Sequence, residues 1–156
     1  RKNPDGVIAA FRDAFPMGDK KVGLVLKVSN RVESDPKWRS LSRRIENDPR
    51  IQLVSENLDR SDLIALMQAC DAYISLHRAE GFGRTLAEAM LLEKPVIATN
   101  PDSRDAAVHM RAIVGEPFKA KQRAKAGKKR IAMVHGPKFI GNNLRRYLEE
   151  IYLITG

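Results

Sequence analysis

SLHRAEGFGRTLAEAMLLEKPVIATN, residues Ser75 to Asn100, decides the fold. A β-rich run ends near Leu76, a glycine-bearing turn follows from Gly81 to Gly83, an apolar helix runs from about Arg84 to Leu92, and Pro95 to Asn100 reads as another strand. Strand, turn, helix, strand in that order is a parallel βαβ unit. In such a unit ligands sit at the carboxyl ends of the strands, here at the turn itself. Glycine permits close backbone approach and positive φ. The helix start offers unpaired amides and a positive dipole end, a ready anion site to which the Thr85 hydroxyl adds a donor. Two carboxylates flank the turn, Glu80 before the helix and Glu88 inside it. Glu88 sits among Leu86, Ala87, Ala89, Met90 and Leu91, so it is buried and needs a partner. The turn is expected to cradle phosphate, with both acids holding sugar hydroxyls.

The same grammar extends upstream. Asn3 and Pro4 read as cap and first position of a helix that carries Val7, Ile8, Phe11 and Phe15 and stops at Pro16. Val22 to Val28 is a buried strand. Ser34-Asp35-Pro36 opens a helix with Trp38, Leu41 and Ile45 on one face, and Asp48-Pro49 ends it. Ile51 to Val54 is the second strand, Ser61-Asp62 is expected to cap a third helix, and Ala72 to Leu76 is the third strand. Beyond Asn100 the pattern is helical, with breaks near Pro117 and Pro137. The expected fold is α/β: a Rossmann-like parallel sheet with helices on both faces and a C-terminal helical tail, in one domain spanning residues 1–156.

Composition narrows the class. With 156 residues and 43% hydrophobic residues the chain can bury its own core. Its one cysteine, Cys70, excludes an internal disulfide and a multi-cysteine zinc site. No apolar run approaches the ~18 residues of a membrane span, and no leader is visible, so a cytoplasmic location is expected. The net charge is +9, about +2 over residues 1–100 and about +7 over residues 101–156, densest in KAKQRAKAGKKR from Lys119 to Arg130. That balance favours an anionic partner, although a charge run is as readily a solvated helix face.

EGFGRTLAEAMLLEKPVIAT resembles the donor-site signature of retaining glycosyltransferases with the GT-B fold, family four, the glycosyl transferases group 1: Glu-Gly-Phe-Gly, then Glu-Ala-Met, then Pro-Val-Ile-Ala-Thr. RKNP, residues 1–4, resembles the basic segment after the first strand of that family's C-terminal domain, and DLIALMQACDAYISL resembles the unit before the signature. The resemblance implies one half of a GT-B fold and a domain that binds a nucleotide-activated sugar, such as a UDP- or GDP-sugar, as substrate. It implies that Glu80 bonds the hexose hydroxyls and that Lys2 contacts the diphosphate and eases its departure, making these the catalytic pair, with Arg1 assisting. It further implies that Phe82 and Gly83 lie near the sugar, that the amides of Arg84, Thr85 and Leu86 meet the diphosphate, that Glu88 binds the ribose, and that Leu58, in the loop Val54 to Leu58, borders the nucleobase.

Lys27 departs from the family pattern, as a strand-end lysine or a second phosphate contact. His77 departs too, more readily a packed histidine than a catalyst, although it could border the donor sugar. The family normally has a further loop and strand where Asn100 meets Pro101, so a missing segment is expected there. The N-terminal acceptor domain is expected to be absent from this stretch, and the isolated piece to transfer nothing. No metal or other cofactor is expected, since a lysine and a helix end can stabilise the leaving diphosphate and no Asp-x-Asp pair is present. The expected partners are the nucleotide-sugar and the acceptor domain, with a peripheral membrane contact through the basic tail as an option and no nucleic acid. Two competing readings stand beside this one: a basic nucleic-acid-binding α/β module, against which no aromatic residues interleave the basic run, and a sugar-nucleotide epimerase of the same fold.

Overall fold

The structure is a computed structural model that describes residues 2–19, 21–28, 34–79, 81–98, 103–136, 142 and 145. Glu80, Arg1 and the Asn100–Pro101 junction lie outside the described residues. Among the described residues helices and strands alternate until two helices close the series: α1 (Pro4–Ala14), β1 (Leu24–Lys27), α2 (Pro36–Ile45), β2 (Ile51–Val54), α3 (Arg60–Ala69), β3 (Tyr73–Ser75), α4 (Arg84–Leu91), β4 (Val96–Ala98), α5 (Ser103–Gly115) and α6 (Pro117–His135). The arrangement is Rossmann-like α/β.

The caps follow from the residue types. Asn3 accepts from the Gly6 amide with Pro4 in the first helical turn, and Asp35 accepts from Lys37 ahead of Pro36. The third cap corrects the expectation. Asp59, not Ser61-Asp62, caps α3, because its carboxylate takes both the Asp62 amide at 2.8 Å and the Ser61 hydroxyl at 2.7 Å. Those bonds hold the Asp59 carboxyl below its ordinary pKa, the Asp62 amide first.

Both strand pairs are parallel. β1 pairs with β2 in the register Leu24↔Ile51, and β3 pairs with β4 in the register Tyr73↔Val96. Each pair is closed by an intervening helix, α2 or α4, as a parallel crossover requires. Strand hydrogen bonds do not join the pairs among the described residues, but Leu24 and Ile51 of the first and Ile97 of the second enter one core with Leu76. Val7, Ile8, Phe11 and Phe15 bring the inner face of α1 to it, and Ala106, Ala107 and Met110 bring that of α5. The strands are shorter than their apolar runs. Val22 and Val28 flank β1 and still pack on the core, and the Val28 amide still donates to the Val54 carbonyl at 2.9 Å.

Asp48 is 1% exposed and forms the main polar contact of this half of the molecule. Arg50 Nε donates to Asp48 Oδ1 at 2.9 Å and Nη2 donates to Oδ2 at 3.0 Å, a bidentate pair, with Arg12 Nε on Oδ2 at 3.4 Å. Arg50 Nη1 also donates to the carbonyls of Phe15 at 3.0 Å and Pro16 at 2.8 Å, and its guanidinium lies 5.0 Å from the Phe11 ring centroid. The end of α1 is thus tied to the start of β2. The Arg50 hydrogen bonds hold the Asp48 carboxyl down at about 2, against burial, which alone would raise it.

The helical tail covers α4. Ala120 and Ala124 of α6 are buried, and a Cβ added to Gly127 would lie 3.8 Å from the Met90 side chain. Small residues therefore form the seam between α6 and α4. The far end of α4 closes without glycine: Glu93 is left-handed (φ 56) while its amide donates to Met90 and the Lys94 amide donates to Ala89, both at 3.0 Å. The Glu93 carboxylate receives Lys128 of α6 at 3.0 Å, and that lysine lowers its pKa.

Candidate functional site

The turn between β3 and α4 is built from beneath. Leu76 is 1% exposed and anchors the end of the third strand in the core. His77 is buried beside it, with Nδ1 3.1 Å from the Ser75 hydroxyl. This agrees with the packed, hydrogen-bonded reading of His77. Arg78 and Ala79 are exposed as the chain leaves the core. Gly81 is open, and a Cβ there would meet nothing within 4 Å. Gly83 is buried and left-handed (φ 72, ψ 50), a conformation that strains any residue with a Cβ.

Gly83 is also the cap of α4, and no side chain bonds the first-turn amides from that position. The Leu86 amide donates to the Gly83 carbonyl at 2.9 Å, so its hydrogen is engaged within the chain. The amides of Arg84 and Thr85 precede it, in the turn where a helix leaves its donors without intrahelical acceptors. The Thr85 hydroxyl accepts from Tyr73 at 3.0 Å, which leaves its own hydrogen to donate outward. Arg84 is exposed at the first helical position and Leu86 is half-buried.

Glu88 carries the electrostatics. It is buried on α4, its side chain 10% exposed, and its Oε1 accepts from Arg60 Nη1 at 2.8 Å, with Arg84 Nε 3.7 Å from the same oxygen. The sequence demanded a partner for this carboxylate but did not name Arg60. The signal was there: Arg60 opens α3 in the loop at the carboxyl end of β2, directly after the Asp59 cap. The ion pair therefore joins the start of α3 to α4, two helices that each begin at the carboxyl end of a strand. Leu58 is half-buried in that same loop.

Phe82 is 61% exposed at the crest of the turn and meets His135 of α6 edge-on, with ring centroids 4.9 Å apart. Lys27 is half-buried at the end of β1, where its Nζ donates to the Val28 carbonyl at 2.8 Å. Lys2 is exposed immediately ahead of the α1 cap. The structure thus groups Gly83, Arg84, Thr85, Leu86 and Glu88 at one helix start and adds Arg60 to them. Lys2 precedes the cap of α1, and Lys27 ends β1. Among the described residues no cluster of three or more histidine, cysteine or acidic side chains could hold a metal ion, and no helix is long and apolar enough to cross a membrane.

Comparison with known proteins agrees with this fold. The solved structure of HepE from Anabaena, in complex with UDP-glucose, matches 93% of this chain with a TM-score of 0.73 at 21% sequence identity. At that identity the likeness is one of fold, and this chain spans 45% of that protein's length. No curated protein matches the chain significantly. The sequence model of the glycosyl transferases group 1 matches residues 1–134. With its glycine-capped helix and buried glutamate lying inside that match, the chain belongs to the glycosyl transferases group 1 family.

Proposed function

We propose that this chain is the donor-binding half of a retaining GT-B glycosyltransferase. It binds the diphosphate of a nucleotide-sugar at the start of α4 and, together with an acceptor-binding domain, moves the hexose to an acceptor with retention of configuration. The observation that carries this reading is the start of α4 itself. A left-handed Gly83 caps it without a side chain, and a buried Glu88 stands one turn behind. Amides and the helix dipole favour the diphosphate, and the carboxylate accepts hydrogen bonds from ribose hydroxyls.

As the anomeric bond breaks, negative charge grows on the diphosphate. In this reading the amides of Arg84 and Thr85 and the guanidinium of Arg84 stabilise it. Lys2 adds a cation and Glu80 holds the hexose. Phe82 and Gly83 border the sugar, and Leu58 borders the base. The exposed lysines and arginines of α6 form a cationic face that suits an anionic membrane surface, from which a cytoplasmic enzyme could draw its acceptor.

Thermal unfolding of the full-length protein with UDP, GDP and ADP tests the reading. One nucleoside diphosphate should stabilise it by about 2.7 kcal/mol at a hundredfold excess over Kd. Glu88→Ala should remove most of that gain, and RNA or DNA should not replace the nucleotide. Stabilisation by nucleic acid and by none of the diphosphates would overturn the proposal.

A further inference from the structure

We infer that Arg60 is a positioning residue for the nucleotide: it fixes the Glu88 carboxylate so that ribose hydroxyls, rather than the neighbouring Arg84, receive its free edge. The inference rests on the donor-site reading above and adds to it a residue from a different helix.

Two guanidiniums contend for one oxygen. Arg60 Nη1 reaches Oε1 at 2.8 Å, a charge-assisted hydrogen bond, whereas Arg84 Nε stands off at 3.7 Å, beyond hydrogen-bond range. Arg84 lies one turn before Glu88 on the same helix, the i,i+4 relation that sets a guanidinium and a carboxylate side by side on the helix surface, here in the weaker order with the base ahead of the acid. Arg60 approaches from α3. Its backbone is fixed by the Asp59 cap, while its side chain is 68% exposed, so little besides Glu88 holds the guanidinium there. The pull of Arg60 therefore crosses between helices and opposes collapse of Glu88 onto Arg84. A carboxylate that is 10% exposed presents only a narrow edge, and its rotation decides whether a ribose diol meets an oxygen or misses it. Without Arg60, Glu88 turns to Arg84 and the diol loses its acceptor.

The discriminating readout is the preference for ribose over 2′-deoxyribose, measured by isothermal titration on the full-length protein with UDP, GDP and their 2′-deoxy counterparts. The parent should prefer the ribonucleotide by about tenfold or more, as a site built to bind a hydroxyl does. Glu88→Gln should abolish the preference. Arg60→Gln should lower it at least about threefold, with Arg60→Lys in between because ammonium lacks the planar fork. Arg84→Gln should weaken ribo and deoxy forms alike and leave the ratio unchanged. A ratio in Arg60→Gln equal to the parent's overturns the inference, and a higher ratio overturns it too, since Arg60 would then compete with the ribose. A parent without any preference, or one that Glu88→Gln retains, overturns the donor-site reading itself and the inference with it.

Discussion

Replacing Asp48 by asparagine should cost stability at neutral pH and little in strong acid. The carboxylate is 1% exposed, receives two hydrogen bonds from the Arg50 guanidinium, one from the Arg50 amide and one from Arg12, and its pKa is lowered from 3.8 to about 2. A shift of that size corresponds to about 2 kcal/mol in favour of the folded state. The folded pKa lies below the unfolded one, so this stabilisation is complete above pH ~4 and is lost as pH falls through ~2, with roughly half gone by pH 3. Asparagine keeps an oxygen for Arg50 but turns an amide donor toward guanidinium donors, and it cannot ionise. Urea unfolding of parent and Asp48→Asn at pH 7, 5, 4 and 3 isolates the residue, because the other carboxylates cancel in the difference. The expected gap is about 2 kcal/mol at pH 7 and about 1 kcal/mol at pH 3. A gap that stays constant from pH 7 to 3 would show that the ionised pair does not distinguish the folded state, and the account of how α1 is tied to β2 would fall.

Three other variants probe the elements that carry the site. Gly83→Ala should lose about 1 kcal/mol or more by forcing a Cβ into a left-handed cap, while Gly81→Ala should be neutral within about 0.5 kcal/mol; equal losses in chemical denaturation would remove the cap from the explanation. Tyr73→Phe takes away the donor to Thr85 and should cost about 1 kcal/mol in the same assay, an effect that Thr85→Val should reproduce without adding to it. Leu76→Ala empties a fully buried position under the turn and should cost about 2–5 kcal/mol, seen as a lower midpoint with an unchanged denaturant slope.

Much of this architecture is legible in the chain because its punctuation is strong. Asn3-Pro4, Asp35-Pro36 and Gly83 each mark a helix start by a side-chain or backbone property that acts locally, and the structure uses all three. Where three residues within four positions can each cap, as at Asp59, Ser61 and Asp62, local chemistry does not choose, and the reach of the Asp59 carboxylate to two donors decides. Asp48 beside Pro49 reads as a helix stop. That it is buried follows only from Arg50 and Arg12 converging on it, and Arg12 comes from 36 residues away. The need for a partner at Glu88 is visible in the apolar helix around it, but Arg60 lies 28 residues upstream and only the fold brings it close. The left-handed residue ending α4 is a glutamate, so no glycine announces the turn, and its stabiliser, Lys128, sits two helices later, on α6.

The seam of alanine and glycine behind α4 has a mechanical meaning. α4 has eight residues and is only ~12 Å long. Over so short a rod, a bulkier side chain at Gly127 or Ala124 would swing the opposite end by nearly as much as it lifts this one. Small residues on α6 let two backbones nest closely, so the tail works as a splint that sets the aim of the amides at the other end. Precision at the mouth of the domain is thereby lodged in residues that carry almost no side chain.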